Sequence, residues 1–283
     1  LRSMSLPFHA ALAALLVFAG TAAADEHSAH DPIHFRFAPP DGVRMQQTVK
    51  AVHVRTVPGL PAQRLESEAA LEARFAAVGD GYTYSPRVVA ARSTLNGSEI
   101  DSPTADILAA VQPTFVISAR GEVIAVEGLE RIAAWLGENL PAEHAAALAA
   151  AFDEEAMVAH EKALWDARHM DLCGRSMRIG ESVEGRAEYR LPDGSMLEYT
   201  VRTLLAGWQD CPAGRCVRVE QSHHSAPAGE GAQLSGHVLR VLDPATMLIY
   251  EEDQQRTLTL PAAGGSTEPV RVIDEYHYRH RYY

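Results

Sequence analysis

Residues 139–171 read NLPAEHAAALAAAFDEEAMVAHEKALWDARHMD. The run is rich in Ala, Leu, Glu, Lys and Met, all good helix formers. Leu148, Phe152, Ala156, Ala159, Ala163, Ala167 and Met170 follow at steps of three or four, which places them on one helical face. Asn139 is a suitable N-cap, with Pro141 in the first turn. Asp153, Glu154 and Glu155 mark a second N-terminus, because acidic groups favour the positive end of a helix. The expectation is therefore a pair of helices broken near Phe152, stopped by Gly174, with a shorter apolar-periodic piece at 129–136 ahead of them.

On either side of this run the chain alternates apolar and polar residues, as half-buried strands do. Before it, strands are expected over 33–37, 45–57, 65–78 and 82–95, with a hairpin at 114–126 and a turn at Asn96-Gly97. The 65–78 segment has helix-like Ala and Glu content, but its apolar residues keep period two. After the helical run, strands are expected over 177–191, 196–208, 217–224, 236–242, 247–252 with a continuation at 256–260, and 270–283. The 115–128 hairpin and the 238–250 hairpin carry a short turn at the same offset, which suggests a duplicated unit. The predicted fold is α+β: two antiparallel sheets or half-barrels, read as a duplicated unit, with the central pair of helices packed on them. The predicted organisation is a signal peptide at 1–24, a flexible segment at 25–33, a β-rich half at 34–138, central helices at 139–173 and a second β-rich half at 174–283.

The targeting segment rests on the apolar core AALAALLVFAG followed by Thr21-Ala22-Ala23-Ala24, which fits an A-x-A cleavage site before Asp25. The expected compartment is secreted or periplasmic. No other stretch is apolar enough to cross a bilayer as a helix. A formal net charge of −12 and scattered basic residues argue against nucleic acid as a partner. Cys211 and Cys216 bracket a turn-forming Pro-Ala-Gly-Arg insert between two strand-like runs. In an oxidising compartment they are expected to form a disulfide. Cys173 is left over and reads as a buried thiol.

Chemistry-bearing motifs are scarce. His160-Glu161 begins an H-E-x-x-H zinc signature, but position 164 is Leu, so the second imidazole is missing. Ser195 and Ser235 do not complete a G-x-S-x-G elbow, and there is neither a phosphate loop nor a dinucleotide fingerprint. His27, His30 and His34, close to Asp25, Glu26 and Asp31, could share a metal ion such as zinc, copper or nickel.

Three segments carry a resemblance: F-x-F-x-P-P-x-G at Phe35–Gly42, F-x-I-x-x-x-G-x-V at Phe115–Val123, and Leu172–Gly180 leading into the second half. On these the chain resembles exported bacterial proteins with duplicated β-rich halves, and it is similar to the open half-barrels of periplasmic lipoprotein carriers. The resemblance implies architecture and transfers no catalytic residue.

The function expected from these observations is an exported, non-enzymatic binding or structural protein. It would hold a hydrophobic small molecule or lipid in a cleft lined by Trp135, Phe152, Met157, Trp165 and Trp208, with no cofactor. The alternatives are a periplasmic metal-binding protein using His27, His30 and His34, and an enzyme of a type the motifs do not reveal.

Overall fold

In a computed structural model, the structure describes residues 31–100, 107, 110–139, 141, 154–191, 194–225, 231–262 and 268–283. The strands in chain order are β1 (Ile33–His34), β2 (Arg44–Thr56), β3 (Gln63–Val78), β4 (Gly81–Leu95), β5 (Ser98–Ile100), β6 (Thr114–Ile117) and β7 (Val123–Glu127). After the helical region come β8 (Ser176–Met177), β9 (Ser182–Arg190), β10 (Met196–Cys211), β11 (Gly214–Ser225), β12 (Gln233–Leu242), β13 (Ile249–Leu260) and β14 (Val270–Tyr282). The described helices are Arg131–Asn139 and Glu154–His169.

The expectation of an α+β fold with two separate sheets is overturned. The protein is mostly β, and 12 strands form one antiparallel sheet in the order β7-β6-β4-β3-β2-β14-β13-β12-β11-β10-β9, with β5 on β4. A two-stranded sheet, β1 with β8, is added. The two halves fuse because β14 pairs with β2 over most of its length, from Arg271 opposite Thr56 to Tyr282 opposite Met45. Two separate sheets would each leave a long strand edge with unpaired backbone groups, and this pairing removes both edges. The described helices are too short to form a layer of their own. The second begins at Glu154 with Glu154 and Glu155 in its first turn and ends with Arg168 and His169, matching its dipole. Residues 140 and 142–153 of the expected helical pair lie outside the described residues.

Strand identity follows the alternation. The Ala-rich segment at 65–78 is strand, because its period-two pattern places Leu65, Ala69, Leu71, Ala73 and Phe75 towards one face. Asn96 and Gly97 both take positive φ (51° and 82°), the requirement of the tight hairpin turn from β4 to β5. The 115–128 hairpin forms β6 and β7 at one edge of the sheet, whereas the 238–250 hairpin joins β12 and β13 in its interior.

The sheet is curled. Arg256 on β13 stacks over the ring of Tyr189 on β9, with 4.9 Å between guanidinium carbon and ring centroid. A flat sheet would hold those strands about 19 Å apart, four spacings of about 4.8 Å. One end of the concavity is plugged. Trp165, from the Glu154–His169 helix, meets Phe37, Tyr84, Phe115 and His169, and its indole N–H donates to the Gly121 carbonyl at 2.7 Å. The 35–38 segment threads between the 172–175 turn and the β12–β13 turn, with backbone bonds from Phe35 to Arg175 and from Arg36 to Pro244. The main core lies here, including Phe35, Phe37, Phe75, Leu205, Val217, Leu242 and Met247.

The expected Cys211–Cys216 disulfide is present, closing the β10–β11 hairpin with a Cα–Cα distance of 5.8 Å. Closing so short a loop in the unfolded chain is worth about 2 kcal/mol on chain-entropy grounds. Reducing it in a Cys173→Ser background should lower the denaturation free energy by that order, measured in guanidinium with and without dithiothreitol. An unchanged midpoint would show that the hairpin holds without the bridge.

Candidate functional site

Register and burial together identify the inner face. Met45, Gln47, Val49, Ala51 and His53 of β2 lie opposite Ala73, Leu71, Ala69, Ser67 and Leu65 of β3. On the other side of β2 the same residues lie opposite Tyr282, His280, Tyr278, Tyr276 and Asp274 of β14. Towards the plugged end this face is buried at Met45, Ala73 and Phe75. Towards the other end it opens: Val49, Ala51, Leu65, Ala69 and Tyr276 are half-buried, and Leu95, opposite Leu65, is 40% exposed. Tyr276, Tyr278, His280 and Tyr282 stack along β14 as a ladder, with successive centroids 6.1 to 6.5 Å apart. The result is a groove floored by β14 and β2 and walled by β3 and β4 on one side and by Tyr189 with Arg256 on the other.

Two charge clusters cross this face. Near the plug, Glu252 accepts from Arg240 Nε at 2.5 Å and from Arg168 Nε at 3.1 Å, and Gln254 also donates to it. Arg168 lies 4.3 Å over the Tyr278 ring. Burial pushes the Glu252 carboxyl up, but Arg168 and Arg240 outweigh it and hold it at about 2. Nearby, Gln221 donates to Asp171 and to Thr203, each at 3.0 Å.

The second cluster lies towards the open end. His223, Gly236, Arg256, Asp274 and His53 sit side by side across five strands. Asp274 accepts from His53 Nδ1 at 2.5 Å and from Arg256 Nη2 at 3.2 Å. Gly236 lets this row pack closely: a Cβ there would come to 3.0 Å from the Gln255 carbonyl oxygen and 3.4 Å from His223 Nδ1. Burial, then the Arg240 and Arg256 guanidiniums, push the His223 imidazole down to about 4.

The residues expected to line a cleft are distributed rather than gathered. Trp165 is the hub of the plug. Trp135 and Met157 pack on a small satellite cluster of Val111, Leu129, Ile132 and Leu136. Trp208 packs at the edge of the main core, with Arg215 4.2 Å over its ring. Phe152 lies outside the described residues, as do His27 and His30. His34 is exposed, and its Nδ1 bonds to Ser176 Oγ at 2.6 Å. Among the described residues no group of three His, Cys, Asp or Glu side chains is placed to hold a metal ion. Cys173 is half-buried and its Sγ donates to the Arg120 carbonyl at 2.9 Å. A pocket of about 180 Å³ lies at the far end of β11–β13, bordered by His224, Ser225, Gln233 and Thr259.

Sequence reasoning missed Arg240, Glu252, Arg256, Asp274 and His53. A signal was present. Arg240 shares its phase with Leu234, Val238 and Leu242, and Asp274 shares its phase with Val272 and Tyr276. A charge in the apolar phase of a strand needs a buried partner. Which partner depends on register, which the local pattern does not carry.

A single curled antiparallel sheet, plugged at one end by a helix and open at the other over an apolar and aromatic floor, is the class of architecture these residues define. No family model matches the chain, and no curated protein matches it. Among solved structures, the chain is similar to lipovitellin at 9% identity and a TM-score of 0.45, over 86% of this chain and 25% of that one. The chain thus spans about a quarter of the lipovitellin chain. It is also similar to a candidate exported protein with a YmcC-like fold from Bacteroides fragilis, at 9% identity and a TM-score of 0.25, over 88% of this chain and 99% of that one. An outer membrane channel from Pseudomonas putida matches at 8% identity and a TM-score of 0.21, over 89% of this chain and 99% of that one. With TM-scores below 0.5, these likenesses carry no argument about what the chain does.

Proposed function

We propose that this chain is an exported binding protein that holds a hydrophobic or lipid-like small molecule in the open half of its curled sheet. One observation carries the proposal. Side chains on the core face of the sheet, Val49, Ala51, Leu65, Ala69 and Leu95, remain half-buried or exposed, although at the plugged end Met45, Ala73 and Phe75 of the same face are buried. Apolar surface on the concave side of a sheet is stabilised by covering it, and a ligand that removes it from water gains roughly 25 cal/mol per Å². Ala51, Ser67, Ala69 and Ala91 carry small side chains, which suits a ligand lying between the Tyr276–Tyr278 floor and β4. The export part of this reading is supported by the apolar core and small-residue cleavage pattern of the first 24 residues, and by the disulfide, a bond that persists in oxidising compartments.

Binding of the neutral fluorophore N-phenyl-1-naphthylamine tests this. The protein should bind it with blue-shifted, saturable fluorescence. Ala69→Trp, which fills the groove from β3, should weaken binding at least tenfold while the far-ultraviolet circular dichroism stays unchanged. Absence of binding, or equal binding by the filled variant, removes the groove from consideration.

A further inference from the structure

The ion pairs of the inner face are built differently from those of the outer face. On the outer face both partners reach solvent, as for Arg64 with Glu66, Arg87 with Glu72 and Arg186 with Glu198. On the inner face the acid is sealed and the cation lies above it. The Glu252 side chain is 1% exposed; Arg240, 3% exposed, is sealed with it, whereas its second partner Arg168 is 30% exposed. Asp274 is 9% exposed, whereas Arg256 and His53 are 35% and 46% exposed. Arg55, one step further towards the open end of β2, is also exposed on this face. A molecule entering the groove therefore meets guanidinium and imidazole groups and does not reach the carboxylates that balance them. This layering occurs inside a chain whose formal net charge is −12.

The geometry also leaves donors to spare. Arg256 spends one nitrogen on Asp274 and stacks one face on Tyr189. A guanidinium has five N–H donors in a planar fork, so its outer edge can still grip two oxygens of an anion. Asp274 beneath holds the fork in place, and His53 stands beside it on the neighbouring strand. Leu65 and Leu95 stand level with His53 on β3 and β4, one row further the floor turns to Ala51 and Tyr276, and the row after that carries Val49 and Ala69.

Resting on the reading of the groove as a binding site, we propose that its ligand is an amphiphile with an anionic head, a carboxylate or phosphate. The head docks on Arg256 and His53, and the apolar tail lies along Ala51, Leu65, Ala69 and Leu95. The head selects the ligand by charge and bidentate geometry, and the tail supplies the buried area.

Displacement of N-phenyl-1-naphthylamine from the intact protein separates this inference from the groove itself. Competitors of equal chain length are used below their micelle concentrations: dodecanoate, dodecyl phosphate, dodecanol and dodecyltrimethylammonium, with inorganic phosphate alone as a fifth. The two anionic amphiphiles should displace the fluorophore at concentrations at least tenfold lower than the neutral and cationic ones. Arg256→Gln should abolish that preference, read as the ratio of anionic to neutral displacement within the one variant so that any change in fluorophore affinity cancels, and His53→Gln should reduce it. If Arg256→Gln does not fold, the pair Arg256→Gln with Asp274→Asn, which removes both charges together, carries the test. Equal displacement by all four heads, or a preference that survives loss of Arg256, overturns the anionic site and leaves the groove standing. Inorganic phosphate competing as well as dodecyl phosphate also overturns it, since the site would then take a free anion. Failure of the fluorophore to bind at all removes the groove reading as well.

Discussion

Glu252→Gln should lower the stability of this protein by about 3–5 kcal/mol, the penalty for breaking a buried ion pair by removing one partner. The substitution keeps the shape of the side chain and removes the charge. Arg240, 3% exposed, and Arg168, which reaches across from the helix, would then face each other without the carboxylate that balances both. In a chain of this size such a loss corresponds to a fall on the order of 10 °C in Tm. Because Arg168 sits one residue from His169 and three from Trp165, the helix end should loosen first. Trp165 fluorescence should therefore change at lower denaturant than the backbone signal does. Replacing both members of the inner pair, Arg240→Met with Glu252→Leu, should recover much of the loss, since two apolar groups leave no charge stranded. A single substitution within 1 kcal/mol of the parent would show that the cluster is neutralised in another way. The pH dependence follows from the same geometry. Glu252 is held below its ordinary value, so its contribution is fully present above about pH 4.5 and is lost as pH falls towards 2.

A second loss should come earlier in the same descent, and from histidines. His169 is pushed down to about 3, first by burial and then by Arg168 and Arg240, against the bond its Nδ1 makes to the Trp165 carbonyl. His223 is held at about 4 by burial, Arg240 and Arg256. His280 is held at about 4 by burial and Arg168, against Glu252 and its bond to the Tyr250 carbonyl. Its Nδ1 has no partner among the described residues, as suits a neutral ring. An unfolded chain takes up a proton on each of these rings near the ordinary value of 6.5, whereas the folded chain resists to about 4 or below. Their contribution is complete above pH 6.5 and is lost as pH falls from 6.5 to 4. At pH 5 unfolding should take up between two and three protons, and the loss between pH 6.5 and 5 should be on the order of 4 kcal/mol. Urea unfolding at half-unit pH steps measures the slope. His223→Gln with His280→Phe should reduce the uptake by about two protons. A slope of less than one proton in the unaltered protein would show that these rings are already charged or exposed when folded.

Much of the β structure was legible because a strand buries one face, and period-two alternation records that locally. Gln63–Val78 is the clearest instance, since its alternation overrode a helix-like composition. The Asn96-Gly97 turn and the Cys211–Cys216 bridge are local features too. The join between β2 and β14 was not legible, for its paired residues stand more than two hundred positions apart. Nothing in either strand names the other, and the α+β expectation with two sheets failed at that point. The candidate site was half legible: Arg240 and Asp274 interrupt apolar phases, which signals a buried partner. That Asp274 meets His53 and Arg256, while Glu252 meets Arg240 and Arg168, is set by register and by the docking of one helix. The residue pattern determined which faces of each strand must be covered, because solvation acts on each side chain where it stands. The tertiary structure decided which strands lie side by side, and hence which half of the inner face is plugged and which stays open, because pairing joins groups remote along the chain.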